Sequence, residues 1–209
     1  MEINVLPLGQ LGTNCYIFRR KGGSKCGIVD PGGQGEQLAR WLKDKGLEPE
    51  AVLLTHGHFD HILGIPGLRA VWPDLPIYCH PADFGEGQTV SLFGQTFPSV
   101  RSFGGVTPYR EGDRVTVAGA ELEVLETPGH TPGSVTLRTG DALFTGDTLF
   151  AGSMGRTDFD GGDDDAMMAS LRRLAELEGD YRVFPGHEGQ TTLEQERNTN
   201  YCVRMAMRG

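Results

Sequence analysis

Short apolar runs separated by glycine-rich breaks dominate the chain, and apolar positions at helical spacing appear in three places. Residues 3–8, 14–19 and 26–29 carry β-branched and aromatic side chains between such breaks and read as strands. Gly32-Gly33-Gln34-Gly35 is a turn. The stretch 36–45 then predicts a helix, with Leu38, Trp41 and Leu42 on one face and Gly46 as its stop. Residues 51–54 are wholly apolar, as in a buried strand, and 75–79 are a further strand candidate. From Pro81 to Gly112 regularity is lost. Gly, Pro and Ser are frequent there, with Phe84, Phe93, Phe97, Phe103 and Tyr109 among them, a composition that suits a lid or binding loop. Strand signals return at 114–117, 121–126, 134–138 and 142–145. A helix is expected over about 164–178, with Met167, Leu171 and Leu174 inward. A strand at 182–184 and a terminal helix over 192–207, with Thr192 as its N-cap, complete the pattern. Two batches of strands, each followed by helix, predict an α+β fold of two sheets with helices outside, a four-layer αββα sandwich. No linker interrupts it, so a single domain over 1–209 is expected.

Composition adds exclusions rather than chemistry. With 38% hydrophobic and 22% charged residues, the 209-residue chain is that of an ordinary globular protein with one sizeable core. A net charge of −9 argues against a nucleic-acid partner, which needs a basic face. Cys15, Cys26, Cys79 and Cys202 form no C-x-x-C pair, so neither a thiolate zinc site nor a redox motif is expected. No signal-peptide pattern and no apolar run of ~18 residues is present, so no membrane partner is expected. Free thiols make a reducing cytoplasm the default.

The histidines change the picture. A lone histidine is more often a hydrogen-bonded structural residue than a ligand. Here His56, His58 and His61 follow the strand at 51–54, His130 follows 121–126, His187 follows 182–184, and Asp147 follows 142–145. Pro128-Gly129-His130 is echoed by Pro185-Gly186-His187, as two equivalent turns of a pseudo-symmetric fold would be. Strand ends on one edge of a sandwich converge, and imidazole and carboxylate together suit zinc, iron or manganese. His56 and His58, two apart, can share one ion, while Asp60 and His61 point on to a second. Seven candidate ligands suit two ions bridged by a carboxylate, with the ions ~3.5–4 Å apart. Two divalent ions, two aspartates and a hydroxide leave a charge of about +1, which favours an anionic substrate or an oxyanion. His80, before Pro81, reads as structural or loop surface.

Thr55-His56-Gly57-His58-Phe59-Asp60-His61, with His130, Asp147 and His187 in order, resembles the metallo-β-lactamase fold superfamily. The resemblance runs from Gly12-Thr13-Asn14-Cys15-Tyr16 and Asp30-Pro31-Gly32-Gly33 to Pro185-Gly186-His187. Thr127-Pro128-Gly129-His130-Thr131-Pro132-Gly133-Ser134 and Phe144-Thr145-Gly146-Asp147-Thr148-Leu149-Phe150 are similar to the glyoxalase II group, the hydroxyacylglutathione hydrolases. The resemblance implies one metal on His56, His58 and His130, a second on Asp60, His61 and His187, and Asp147 as their bridge. It implies Asp30 as a supporting residue outside the ligands. Two divalent ions are implied, zinc first, with iron or manganese as alternatives. The implied reaction is attack of a bridging hydroxide on a small anionic thioester, with Asp60 as the catalytic residue that orients it.

Three departures bear on the substrate. The C-terminal helical extension that grips glutathione in glyoxalase II is not expected here. Arg156 falls nine positions after Asp147, where the family binds glutathione, and is the substrate-binding candidate. Two positions later the family has Tyr and this chain has Asp158, so a buried structural salt bridge from Arg156 to Asp158 or Asp163 is the competing expectation. Gly155-Arg156-Thr157-Asp158-Phe159 resembles compact glyoxalase II-like proteins and also persulfide dioxygenases, which would use one Fe²⁺ on His56, His130 and Asp147. A lactonase is a near variant of the hydrolase. A β-lactamase fits less well, since Cys often replaces the bridging Asp there, and a nuclease would bring a basic RNA-gripping arm.

Overall fold

The computed structural model describes residues 1–208 apart from Glu86 and Phe93. Phe93, one of the aromatics in the irregular stretch, therefore lies outside the described residues. The chain runs through β1 (Glu2–Leu8), β2 (Thr13–Arg19), β3 (Lys25–Val29), α1 (Gly35–Asp44), β4 (Glu48–Leu53), the short helices α2 (Phe59–Ile62) and α3 (Ile65–Arg69), and β5 (Ile77–Cys79). It continues through β6 (Thr89–Leu92), β7 (Gln95–Pro98), β8 (Val106–Pro108), β9 (Arg114–Val117), β10 (Ala120–Glu126), β11 (Val135–Thr139) and β12 (Ala142–Gly146). The last part holds β13 (Leu149–Phe150), β14 (Ser153–Met154), α4 (Asp164–Ala175), β15 (Arg182–Pro185), β16 (Thr191–Thr192), α5 (Leu193–Thr199) and α6 (Tyr201–Ala206).

Among the described residues these strands form two six-stranded sheets, β1-β2-β3-β4-β5-β8 and β16-β15-β12-β11-β10-β9, besides two small ribbons. The layers can be read from alternate side chains, because successive residues of a strand face opposite sides. In β2, Cys15 and Ile17 pack with Leu38, Leu42, Ile65 and Leu68 of α1 and α3, while Tyr16 and Phe18 pack with the second sheet. In β12, Phe144 faces that same central layer and Leu143 faces Met167, Leu171 and Leu174 of α4. Three apolar clusters thus fill the three spaces of a four-layer αββα sandwich. Its centre is aromatic: Tyr16 lies 5.4 Å from both Phe144 and Phe184, ring to ring.

The expected elements recur, with the short α2, α3, β13, β14 and β16 added and three stretches redrawn. The irregular 81–112 stretch holds the β6–β7 hairpin, and β8 adds a parallel edge strand to the first sheet. The helix expected over 164–178 ends at Ala175. The terminal helix is broken at Asn200, whose backbone is extended (φ −73°, ψ 119°). The Asn200 side chain accepts from the N–H groups of Cys202 and Val203, so it starts a new helix instead of continuing the old one. Thr192 caps α5 as expected, accepting from the Gln195 N–H. Among the described residues no helix is long and apolar enough to cross a membrane.

Candidate metal centre

Four strands deliver the candidate ligands to one rim. β4 runs parallel to β3 in the first sheet, and β12 parallel to β15 in the second. β10 points the same way as β12 because both are antiparallel to β11. The ends of β4, β10, β12 and β15 therefore release His56, His130, Asp147 and His187 on the same side. Backbone hydrogen bonds stitch the two rims together: Val135 N–H donates to Thr55 O (2.9 Å) and Asn14 N–H to Gly186 O (2.8 Å). The Asn14 side chain donates to Pro185 O and Glu188 O, and the Tyr16 hydroxyl to Pro185 O (2.7 Å), which pins the turn carrying His187. His58 stands at the extended N-terminal boundary of α2, so Asp60 and His61 follow on a helical turn and aim elsewhere.

The result is two adjacent clusters. His56, His58 and His130 form one and Asp60, His61 and His187 the other, with the donor atoms of each within 4.8 Å of one another. Asp30, His56 and His61 also fall within that distance. In the first cluster His58 Nδ1 is 2.8 Å from His130 Nε2. In the second, Asp60 Oδ2 is 3.2 Å from His187 Nε2 and 3.6 Å from His61 Nε2. Asp147 faces both, its Oδ1 3.4 Å from His61 Nε2 and its Oδ2 3.4 Å from His130 Nε2 and 3.5 Å from His187 Nε2.

Outer partners fix which ring nitrogens face the centre. His130 Nδ1 lies 2.7 Å from the Arg156 carbonyl, and His61 Nδ1 2.9 Å from Asp30 Oδ2. A carbonyl or carboxylate only accepts, so both rings carry a proton on Nδ1 and turn Nε2 inward. The Thr55 hydroxyl donates to Asp30 Oδ2 at 2.6 Å, which leaves its oxygen to accept from His56 Nδ1 at 3.2 Å. Asp30 also accepts from the Thr55 N–H, and Thr13 Oγ1 donates to Asp60 Oδ2. His56 Nε2, His61 Nε2 and Asp147 Oδ1 are buried with no hydrogen-bond partner. Leaving one such atom unmade costs about 1–3 kcal/mol. Three such atoms among the candidate ligands mark a group that divalent ions complete, and the donor set fits them.

The two clusters differ in charge. Burial and the neighbouring histidines push His56 well below the ordinary imidazole range, and burial with His130 and His61 lowers His58 to about 4. Burial also opposes charge on His61, yet the carboxylates of Asp60, Asp147 and Asp30 raise it well above that range. His187 is raised against its burial by its hydrogen bond to Asp60 and by Asp147. Asp60 and Asp147, which burial alone would raise, are held low chiefly by His61.

A cleft of about 470 Å³ opens over both clusters, with Leu11, Phe59, Phe150, Met154 and Phe159 as apolar lining and Arg156 at its mouth. Arg156 pairs with Asp158 through two 2.6 Å contacts, and its guanidinium lies 4.0 Å from the Phe159 ring centre. The pair is exposed, at 54% and 66% of the two side chains, so the buried bridge expected as the alternative is not what forms. Asp163 caps α4 instead, accepting from the Ala166 N–H. His80 is structural, held to Glu126 at 3.0 Å. Sequence reasoning missed the parts played by Thr13, Asn14, Tyr16 and Thr55. Their signal was position alone: each sits inside a run already singled out for other reasons.

A two-sheet sandwich with a histidine–aspartate centre on its rim defines a class of metallo-hydrolases. Residues 8–187 match the Metallo-beta-lactamase superfamily, and the chain belongs to it. Over 206 residues the chain is 35% identical to the probable metallo-hydrolase YqgX of Bacillus subtilis (strain 168), with 96% of each chain covered. It is 32% identical over 209 residues to the hydroxyacylglutathione hydrolase GloC of Haemophilus influenzae, covering 96% of this chain and 97% of that one. Among solved structures it resembles BLEG-1 B3 metallo-beta-lactamase (TM-score 0.85, 32% identity, 97% and 99% covered). TTHA1623 in a di-iron-bound form is similar at TM-score 0.82 and 38% identity, with 95% and 98% covered. ETHE1 from Myxococcus xanthus follows at 0.80 and 27%, with 99% and 88% covered.

Proposed function

We propose that this protein is a dinuclear metal-dependent hydrolase that cleaves thioesters of the hydroxyacylglutathione type. The observation that carries the dinuclear reading is Asp147, whose carboxylate reaches both clusters, Oδ1 facing His61 and Oδ2 lying between His130 and His187. His56, His58 and His130 would hold one ion, Asp60, His61 and His187 the other, and Asp147 both. Zinc is the first choice, with iron and manganese as alternatives. TTHA1623 in its di-iron-bound form supports keeping iron among them. Bound there, two divalent ions would acidify a shared water and stabilise the oxyanion formed on the acyl carbonyl.

The remaining chemistry belongs to the chain. Asp60 Oδ2, steadied by Thr13, would accept the proton-bearing side of the attacking water and orient it toward the acyl carbon. Asp30 and Thr55 would keep His61 and His56 turned inward. The apolar lining would exclude bulk water, and Arg156 at the cleft mouth would bind a carboxylate of the thiol carrier. GloC supports the thioester, since it is named a hydroxyacylglutathione hydrolase and matches along nearly its whole length. The partner is then a small anionic thioester, and the buried free thiols of Cys15, Cys26 and Cys79 suit a reducing compartment such as the cytoplasm.

The test is metal analysis of the purified protein together with turnover of S-lactoylglutathione. Two ions per chain with hydrolysis is the expected result. A fully loaded protein that leaves thioesters intact sinks the proposal. Oxygen uptake with glutathione persulfide would then point to a dioxygenase, and opening of a β-lactam or lactone ring to those hydrolases.

A further inference from the structure

Asp83 belongs to neither cluster, yet it holds both loops that build the first one. It ends the short 3-10 turn Pro81–Asp83 after β5. Its Oδ2 accepts from the Gly57 N–H at 2.8 Å and from Thr131 Oγ1 at 2.7 Å, and its Oδ1 accepts from the Gly133 N–H at 2.8 Å. Gly57 lies between His56 and His58, and Thr131 follows His130 directly. Both loops give up a side chain to reach this residue. A Cβ on Gly57 would overlap the Asp83 carbonyl oxygen, and a Cβ on Gly133 would press on Asp83 Oδ1. The turn itself is anchored, since His80 binds Glu126 at the end of β10 and accepts from the Ala82 N–H. The second cluster is steadied by other groups, Asp30 on His61 and Thr13 on Asp60.

We infer that Asp83 is the positioning residue of the first half-site: one carboxylate ties the loops of His56, His58 and His130 to each other and sets the spacing of their rings. Three donors meet two oxygens, so only a carboxylate satisfies all of them. An asparagine would turn its NH₂ group toward the Gly57 or the Gly133 N–H, lose that contact, and loosen the tie between the loops. Asp83 thereby acts on one ion and not the other. The metal consequence rests on the two-ion reading above; the loop-tying does not.

The experiment compares the wild type with Asp83→Asn and with the milder Thr131→Val, which removes one donor of the three. In metal-free protein, nitrogen NMR of labelled histidines should show the His58–His130 ring hydrogen bond lost in Asp83→Asn while the His61 signals stay in place. In zinc titrations, one binding step should weaken by about 10–100-fold, the size seen when outer partners of metal ligands are removed, with the other step unchanged. Thr131→Val should show the same one-sided pattern in smaller measure, and it carries the test if Asp83→Asn does not fold. Equal weakening of both steps, or unchanged His58 and His130 signals, overturns the inference. A wild type that binds no zinc sinks the two-ion reading instead, and the metal-free spectra still decide the role of Asp83.

Discussion

The two halves of the candidate metal centre are built by opposite means. The first half-site is three imidazoles on two loops, and burial with the neighbouring histidines lowers His56 and takes His58 to about 4. The second sets a carboxylate beside two imidazoles, on a helical turn and a pinned strand end, and its histidines are raised by Asp60 and Asp147. Without metal, His56 and His58 are ready to donate lone pairs at neutral pH, while His61 holds a proton. Asp147 faces both, so it couples a pair of neutral histidines, His56 and His58, to His61, which an ion must deprotonate.

Removing what the halves share breaks the comparison most severely. Asp147→Ala should lower thioester turnover by about 10³-fold, the upper scale for deleting one group that stabilises developing charge, and metal analysis should show both sites weakened. Next in size are variants confined to one half. Asp60→Ala and His58→Ala should each cost about 100-fold in kcat, yet each should lose a different ion, readable as one ion per chain with different residual spectra under cobalt. Turnover that survives Asp60→Ala with metal still bound removes Asp60 from the mechanism.

Acidification should separate the halves without mutation. His61 is raised well above the ordinary range and His187 is raised, so the metal-free second site holds a proton on His61 at neutral pH that an ion must displace. Its affinity should fall as pH falls, by about tenfold per pH unit for each proton displaced. His56 and His58 are lowered, His58 to about 4, so over the same range they contribute no proton to displace. Calorimetric titration from pH 8 to 6 should show one step moving and one nearly still; two steps moving together would erase the distinction. The smallest effect lies outside both halves. Arg156→Ala should raise KM for a glutathione thioester by about two- to fivefold with kcat retained, as expected of an exposed charge contact.

The same contrast runs through what the sequence could say. His56, His58, Asp60, His61, His130, Asp147 and His187 were legible because each follows an apolar run that can only be a strand, and strand ends gather on a rim. Their grouping into halves was legible in part, from the i, i+2 spacing of His56 and His58. The supports were not. Thr13, Asn14, Thr55 and Asp83 act through hydrogen bonds that cross 25 to 174 residues of chain, and no local pattern marks such a partner. The β6–β7 hairpin was hidden by the glycine-rich composition around it. The break at Asn200 was hidden because the apolar spacing persists across it while one side chain redirects the backbone.

The division of the centre between two sheets also sets a schedule. His56, His58 and His61 leave the ribosome long before His187, roughly ten seconds at synthesis rates of about 5–20 residues per second. Until β12 and β15 dock, the nascent chain carries imidazoles with no bridging carboxylate and no second wall. Ion capture at that stage lacks most of the ligands that give affinity. The finished centre is therefore a certificate of docking: an ion held tightly reports that both sheets have been made and have closed on each other.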